Sequence, residues 1–308
     1  MLDQQVALDN QEVIPSSCIA AKGAVRLAFV VGRETATNVA LAEAFASHGC
    51  DSGITTARGA LSATVGDVIL NRLDVLPSLD GVEQGFWSMA RTERTGAALL
   101  NRPGPLLNAH DKLATALLLA RAGIPQPRTA HVREAKVPET LRPPFVVKPR
   151  FGSWGQDVFR CETPHDLRMQ VERLAHRHWF RRQGALVQEL IPSNGCDLRL
   201  LVAAGSVIGA IERVALPGEW RTNVALGACR RPVEPPLGAR LLALRAVGML
   251  GLDLAGVDLL LDGDGRYFVL EVNGAVDFTA DYRPEANPFL ATAEALLAPP
   301  EPAVAFAL

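Results

Sequence analysis

The chain has 308 residues, 48% of them hydrophobic and 21% charged, with a formal net charge of −2. That is the make-up of an ordinary globular protein with room for two or three packed units. It excludes the basic excess of a general nucleic-acid binder, and the longest apolar run is broken by Arg245, Asp253 and Asp258, too soon to cross a membrane. The five cysteines, at 18, 50, 161, 196 and 229, are odd in number and form no C-x-x-C. They suggest neither a disulfide framework nor a zinc site, and reduced thiols in a cytoplasm are the simpler reading.

Residues 1–23 carry Asp3, Asp9 and Glu12 and lack a basic start before an apolar block. They read as a frayed extension, not a secretory signal. "VRLAFVVG" (25–32) reads as a buried strand. "ETATNVALAEAFASHG" reads as a helix, with Thr35 or Thr37 as N-cap and Gly49 as its stop. A second strand is expected at 67–73. This alternation predicts a small α/β unit with a parallel sheet. "LLNRPGPLLNAHDK" reads as the turn region that ends it.

An amphipathic helix is expected over 110–125, closed by Gly123 and Pro125. Residues 143–160 read as strand, glycine loop, strand. A charged helix is expected over 165–180 and a strand over 185–191. Residues 197–215 read as a hairpin turning near Gly205, and 237–251 as a helix. Residues 254–273 read as a hairpin with Asp-Gly-Asp-Gly at its tip, and 289–298 as a last helix. The middle and end are therefore α+β, with antiparallel sheets.

"FVLEVNGAVDF" (268–278) places Glu271 and Asn273 in an apolar strand. They share one face, about 6.5 to 7 Å apart. A two-residue loop at Gly263–Asp264 sets residue 258 opposite residue 269, so Asp258 joins that face. Two carboxylates and an amide oxygen suit a hard cation such as Mg²⁺. The plain alternative is salt bridging to arginines.

In "VVKPRFGSWGQD", Lys148 lies within an apolar strand and needs a partner for its charge. Gly152, Ser153 and Gly155 just beyond it let backbone N–H groups approach a phosphate, although a hairpin turn explains them equally. The spacing is not that of a Walker A loop. In "VQELIPSNGCDLRL", Gln188 and Glu189 end a strand, and Asp197 and Arg199 share a face of the next. Arg213 with "EWRTN", giving Arg221 and Asn223, supplies forks suited to phosphate or carboxylate. The alternatives are a surface ion pair and solvated loop charge.

The order of these signals over residues 99–280 resembles the ATP-grasp superfamily, and most closely its RimK-like amino-acid ligases, including LysX-type enzymes. The resembling stretches are "LLNRPGPLLNAHDKLATALLLARAGIPQPRTA", "FVVKPRFGSWGQD", "LVQELIPSNGCDLRLLV", "AIERVALPGEWRTN", "AGVDLL" and "LEVNGAVDF". The resemblance implies an ATP-grasp fold of α/β and α+β parts. A pre-ATP-grasp parallel-sheet domain (24–108) would precede a central lobe (109–191) and a C-terminal lobe (192–299) that clasp ATP, with 300–308 as a tail.

The resemblance further implies that Lys112 and Lys148 touch the ATP phosphates, with Gly152, Ser153, Trp154, Gly155 and Gln156 folding over them as a lid. Gln188, Glu189 and Leu190 would lie at the adenine hinge and Asp197 near the ribose. Asp258, Glu271 and Asn273 would hold two Mg²⁺ or Mn²⁺ ions. Arg199, Arg213, Arg221 and Asn223 would face the γ-phosphate and an acyl phosphate. The implied activity is ATP-dependent ligation of an amine, glutamate by resemblance, to a carboxylate on a protein C-terminus or a small cofactor, in a cytoplasmic homo-oligomer. The rival is a nucleotide-binding regulatory module without turnover. Two departures concern the acceptor and the lid. "VALGACRR" follows "RTN" where such ligases carry a basic residue and Gly-Gly, and Gln156 stands where LysX-type loops are basic.

Overall fold

A computed structural model describes residues 27–298. The N-terminal extension and the tail expected at the ends lie outside the described residues.

The first unit runs β1 (Leu27–Val31), α1 (Ala36–Ser47), β2 (Asp51–Thr55), β3 (Val68–Asn71), α2 (Phe86–Thr92), β4 (Ala98–Leu100) and α3 (Pro103–His110). The four strands form a parallel sheet in the order β2-β1-β3-β4. Thr35 is the N-cap of α1, its side chain accepting from the N–H of Asn38. The sequence pattern missed β2 because "DSGIT" is poor strand material. Pairing with β1 overrides that weakness, and Ser52 Oγ donates to the Ala28 carbonyl at 2.6 Å. The stretch expected as a turn instead holds β4 and α3. Pro103 stands in the first turn of α3, where a missing N–H breaks no helical bond.

The second unit runs α4 (Lys112–Arg121), β5 (Thr129–Val132), β6 (Phe145–Pro149), β7 (Phe159–Cys161), α5 (Pro164–Leu174), α6 (His178–Gln183) and β8 (Ala185–Glu189). Its antiparallel sheet has the order β5-β8-β6-β7. The single helix expected over 165–180 is two helices. Thr163 and Asp166 close a capping box at the start of α5. The break after Leu174 redirects the chain so that Trp179 and Phe180 both enter the core of this unit.

The third unit runs β9 (Cys196–Ala203), β10 (Ser206–Val214), β11 (Cys229–Pro232), α7 (Leu237–Leu250), β12 (Leu254–Leu261), β13 (Tyr267–Asn273) and α8 (Pro288–Leu297). Its antiparallel sheet has the order β11-β10-β9-β12-β13. Leu200, Val202, Val257, Leu259 and Val272 pack with Ala239, Ala243, Ala246 and Val247 of α7. The alternation of side chains then turns Asp197, Arg199, Asp258, Glu271 and Asn273 to the other face. Among the described residues no helix is long and apolar enough to cross a membrane.

Two buried polar residues tie the first unit to the third. Arg72 donates from Nε to Asn38 Oδ1 at 2.5 Å and from Nη2 to the Val276 carbonyl at 2.8 Å. Asn101, fully buried at φ 52°, donates from Nδ2 to the carbonyls of Leu254 and Gly274, at 2.8 and 2.9 Å. Its Oδ1 accepts from the N–H groups of Asp253 and Leu254. Asn101→Ala leaves these groups buried and unpaired, so we expect a loss of about 3 kcal/mol. Urea unfolding checks this, and a loss below 1 kcal/mol would show that the clasp is dispensable.

Candidate active site

The register of the third sheet assembles the charged face. Asp258 lies between Arg199 on β9 and Glu271 on β13, while Arg213 on β10 lies opposite Asp197. The hairpin does not close with the two-residue loop expected from sequence. Leu261 pairs with Tyr267, which leaves a five-residue loop and breaks the parity. A bulge at Leu270 restores it, so Asp258 stands directly opposite Glu271 instead of Val269. The three oxygen ligands thus share a face by a route the sequence did not reveal.

Each carboxylate there is paired. Asp258 accepts from Arg199 Nε and Nη2 at 2.6 and 2.7 Å and from Arg213 Nη2 at 2.8 Å. Burial would raise its pKa, but the two guanidinium groups overcome that and hold it at about 2. Glu271 Oε1 accepts from Lys112 Nζ at 2.6 Å, and the same ammonium reaches the Gly152 carbonyl at 2.6 Å. So the ion pairs of the plain alternative exist in the protein. They do not remove the case for a cation. The amide nitrogen of Asn273 is a buried donor with no partner among the described residues, which calls for an acceptor such as a phosphate oxygen. Phosphates could take over the lysines and arginines as a cation took the carboxylates.

Lys148 on β6 faces this platform. It is 6% exposed, and among the described residues no group hydrogen-bonds its ammonium. Burial is the chief influence on it and lowers its pKa from 10.5 to about 8, against the opposing pull of Glu271 and Asp258. A buried lysine without a bonding partner is the signature of an anion site.

Between the two sheets runs a cleft lined by Pro127, Val146, Leu190, Ile191, Leu260 and Leu270 at its apolar end. Lys112, Lys148, Asp258 and Glu271 line the other end. A cleft that combines these apolar side chains with cations and acids fits a nucleoside triphosphate.

Residues 109–283 match the family model of the RimK-like ATP-grasp domain. The chain belongs to the RimK-like ATP-grasp family.

It is 33% identical over 195 residues to human beta-citrylglutamate synthase B, covering 61% of this chain and 50% of that one. It is 33% identical over 226 residues to human N-acetylaspartylglutamate synthase A, covering 70% and 56%. It is 32% identical over 210 residues to a probable alpha-L-glutamate ligase of Pseudomonas putida, covering 65% and 68%. The chain thus spans about half the length of the human relatives. Among solved structures, D-cycloserine synthetase DcsG superposes with a TM-score of 0.66 at 20% identity, covering 88% of this chain and 98% of that one. The ATP-grasp ligase PsnB, solved with minimal precursor, Mg and ADP, gives 0.62 at 20% identity, covering 88% and 97%. These likenesses establish the ATP-grasp fold.

The glycine loop of this RimK-like chain crosses the mouth of the cleft, with Trp154, Gly155 and Asp157 at positive φ. Gly155 is required twice over. Its φ is +72°, and a Cβ there would lie 2.7 Å from Asn223 Oδ1. Arg221 reaches the carbonyls of Gly155 and Val158 at 3.3 and 3.4 Å while paired to Glu219. Ser153 and Gln156 line the cleft beside them.

The other expected residues are placed as follows. Gln188 lines the cleft and donates to Thr129 Oγ1. The Leu190 N–H is bonded to the Pro144 carbonyl, and the Glu189 side chain accepts from the Arg142 N–H. Asp197, expected near the ribose, is enclosed by Arg213 and by Thr222 Oγ1 at 2.6 Å, its side chain fully buried. It nonetheless lines the cleft with Gln188, Glu189 and Leu190, and its carboxylate holds Arg213 in place.

Sequence reasoning missed Thr222, the Asp111–Arg150 pair and His110. Asp111 is the N-cap of α4 and also binds the Arg150 guanidinium, so one carboxylate fixes both Lys112 and the segment after Lys148. The sequence signal for it was its place as a capping residue just before the helix.

Proposed function

We propose that the protein is an ATP-dependent carboxylate–amine ligase working in the cytoplasm, with its three sheets marking a pre-ATP-grasp domain (24–108), a central lobe (109–191) and a C-terminal lobe (192–299). The observation that carries this reading is buried Lys148, without a hydrogen-bond partner among the described residues, opposite Asp258, Glu271 and Asn273. Four cations (Lys112, Lys148, Arg199, Arg213) face three carboxylates (Asp197, Asp258, Glu271) there. Bound Mg²⁺ or Mn²⁺, two ions on Asp258, Glu271 and Asn273, would neutralise triphosphate charge. Lys112 and Lys148 then hold phosphate oxygens, and Arg199 and Arg213 turn to the γ-phosphate. The carboxylate substrate attacks the γ-phosphorus and ADP leaves. An amine attacks the acyl phosphate formed, and inorganic phosphate leaves as the amide forms. The chain supplies position and charge, and needs no nucleophile of its own. The loop over 152–156 excludes water, which would otherwise hydrolyse the acyl phosphate.

Glutamate is the amine we favour, since the relatives named above are glutamate ligases or synthases of glutamate conjugates. The carboxylate is a small acid or a protein C-terminus. The test is ADP release with L-glutamate against citrate, N-acetylaspartate and a peptide ending in glutamate. We expect release that needs both partners for at least one pair. MgATP binding without release for any pair would instead favour the regulatory module.

A further inference from the structure

A second cavity, of about 340 Å³, lies between the first and third units. It shares Ser153, Trp154, Arg213, Asn223 and Glu271 with the nucleotide cleft, so it opens on the place where the acyl phosphate would form. The wall given by the first unit carries an unusual pair. His110, at the end of α3, is 6% exposed. Its Nε2 lies 2.7 Å from the Leu73 carbonyl, a pure acceptor, so Nε2 carries the hydrogen and Nδ1 the lone pair. Burial lowers the pKa of the ring to about 4, outweighing that carbonyl bond, and keeps the ring neutral.

His110 Nδ1 faces Asp74 Oδ1 at 3.9 Å. Two acceptors thus face each other, and among the described residues no donor bridges them. Asp74 is otherwise engaged with the Val75 N–H at 2.7 Å and with Arg33 at 3.4 Å. Asp277, which also lines the cavity from the third unit, lies 3.6 Å from Arg72. One nitrogen with diverging N–H bonds can reach two acceptors 3.9 Å apart at about 2.9 Å each. Arg199 and Arg230 line the same cavity. Arg230 is held only loosely, 3.4 Å from Thr279 Oγ1 and 3.8 Å from Asp281.

We propose that His110 Nδ1 and Asp74 Oδ1 hold the ammonium nitrogen of the incoming amine, an α-amino acid whose carboxylate lies against Arg230. The proposal rests on the ligase reading. It adds the residues that recognise the amine, Asp74 from outside the matched ATP-grasp segment and His110 from its N-terminal edge. A neutral imidazole and a carboxylate welcome a cationic donor and reject an anion, so they select an amino acid over the corresponding deaminated acid. A bridging water would satisfy the same atoms without such selection.

The test is calorimetry on protein saturated with Mg²⁺ and a non-hydrolysable ATP analogue. The probes are the twenty common L-amino acids and, for the tightest, its deaminated acid, such as glutarate for glutamate. We expect at least one amino acid to bind ten or more times tighter than its deaminated partner. His110→Phe and Asp74→Asn should each abolish that preference while leaving analogue affinity unchanged, which also reports that each variant is folded. No amino-acid binding, or a preference that survives both substitutions, overturns the proposal. Failure of the unsubstituted protein to bind the analogue would instead sink the ligase reading.

Discussion

Lys148→Met lowers affinity for MgATP about 100-fold, or roughly 3 kcal/mol, and raises the melting temperature. Both effects come from one fact. The side chain is buried with no hydrogen-bond partner among the described residues, and desolvation of its charge outweighs the pull of Glu271 and Asp258. Methionine keeps the length of the stem and removes the charge. The sign with pH is fixed by the lowered pKa. Below pH 8 lysine is charged in both the folded and unfolded chain, and the penalty is fully present. Between about 8 and 10.5 the folded chain releases its proton first, so stability gains as pH rises. The Met variant lacks that gain. Nucleotide binding has the opposite trend, because phosphate needs the charged form, so affinity in the native protein falls as pH rises above 8. Calorimetry and thermal melts from pH 7 to 10 test both. Unchanged nucleotide affinity in the variant would remove Lys148 from the site.

Glu271→Gln reduces ADP formation about 1,000-fold, or 4 kcal/mol, with a small change in melting temperature. Glutamine keeps the size of the side chain and an oxygen for Lys112. Lys112 also keeps the Gly152 carbonyl, so the partly exposed pair has only a modest share in stability. What glutamine cannot give is the negative charge that, beside Asp258, suits a divalent cation. Asn273→Asp, which retains an oxygen donor, should keep part of the turnover and shift the preference between Mg²⁺ and Mn²⁺. If Glu271 serves only as the partner of Lys112, the outcome for turnover reverses. The melting temperature falls slightly and turnover survives. Measuring both quantities on the same two proteins separates a metal platform from a structural ion pair.

Much of this was written locally in the chain. The strand and helix periods gave the α/β and α+β parts, while the glycine loop after Lys148 and the polar interruptions at Glu271 and Asn273, in their order along the chain, carried the resemblance that implied the ATP-grasp fold and most residues of the cleft. They are legible because a strand must alternate faces, and a charge inside an apolar run needs a reason. Tertiary structure decided what depends on pairing between distant segments. The short β2 exists only because β1 supplies its hydrogen bonds. The bulge at Leu270 sets Asp258 against Glu271, since register follows from the whole hairpin and not from its tip. Asp197 lines the cleft and is also bonded to Arg213 and Thr222, contacts that come from segments 16 and 25 residues away. His110 and Asp74 are 36 residues apart in sequence, and each alone looks ordinary. Packing α3 against the end of β3 brings them together and fixes the imidazole tautomer on the Leu73 carbonyl, and no local pattern encodes that.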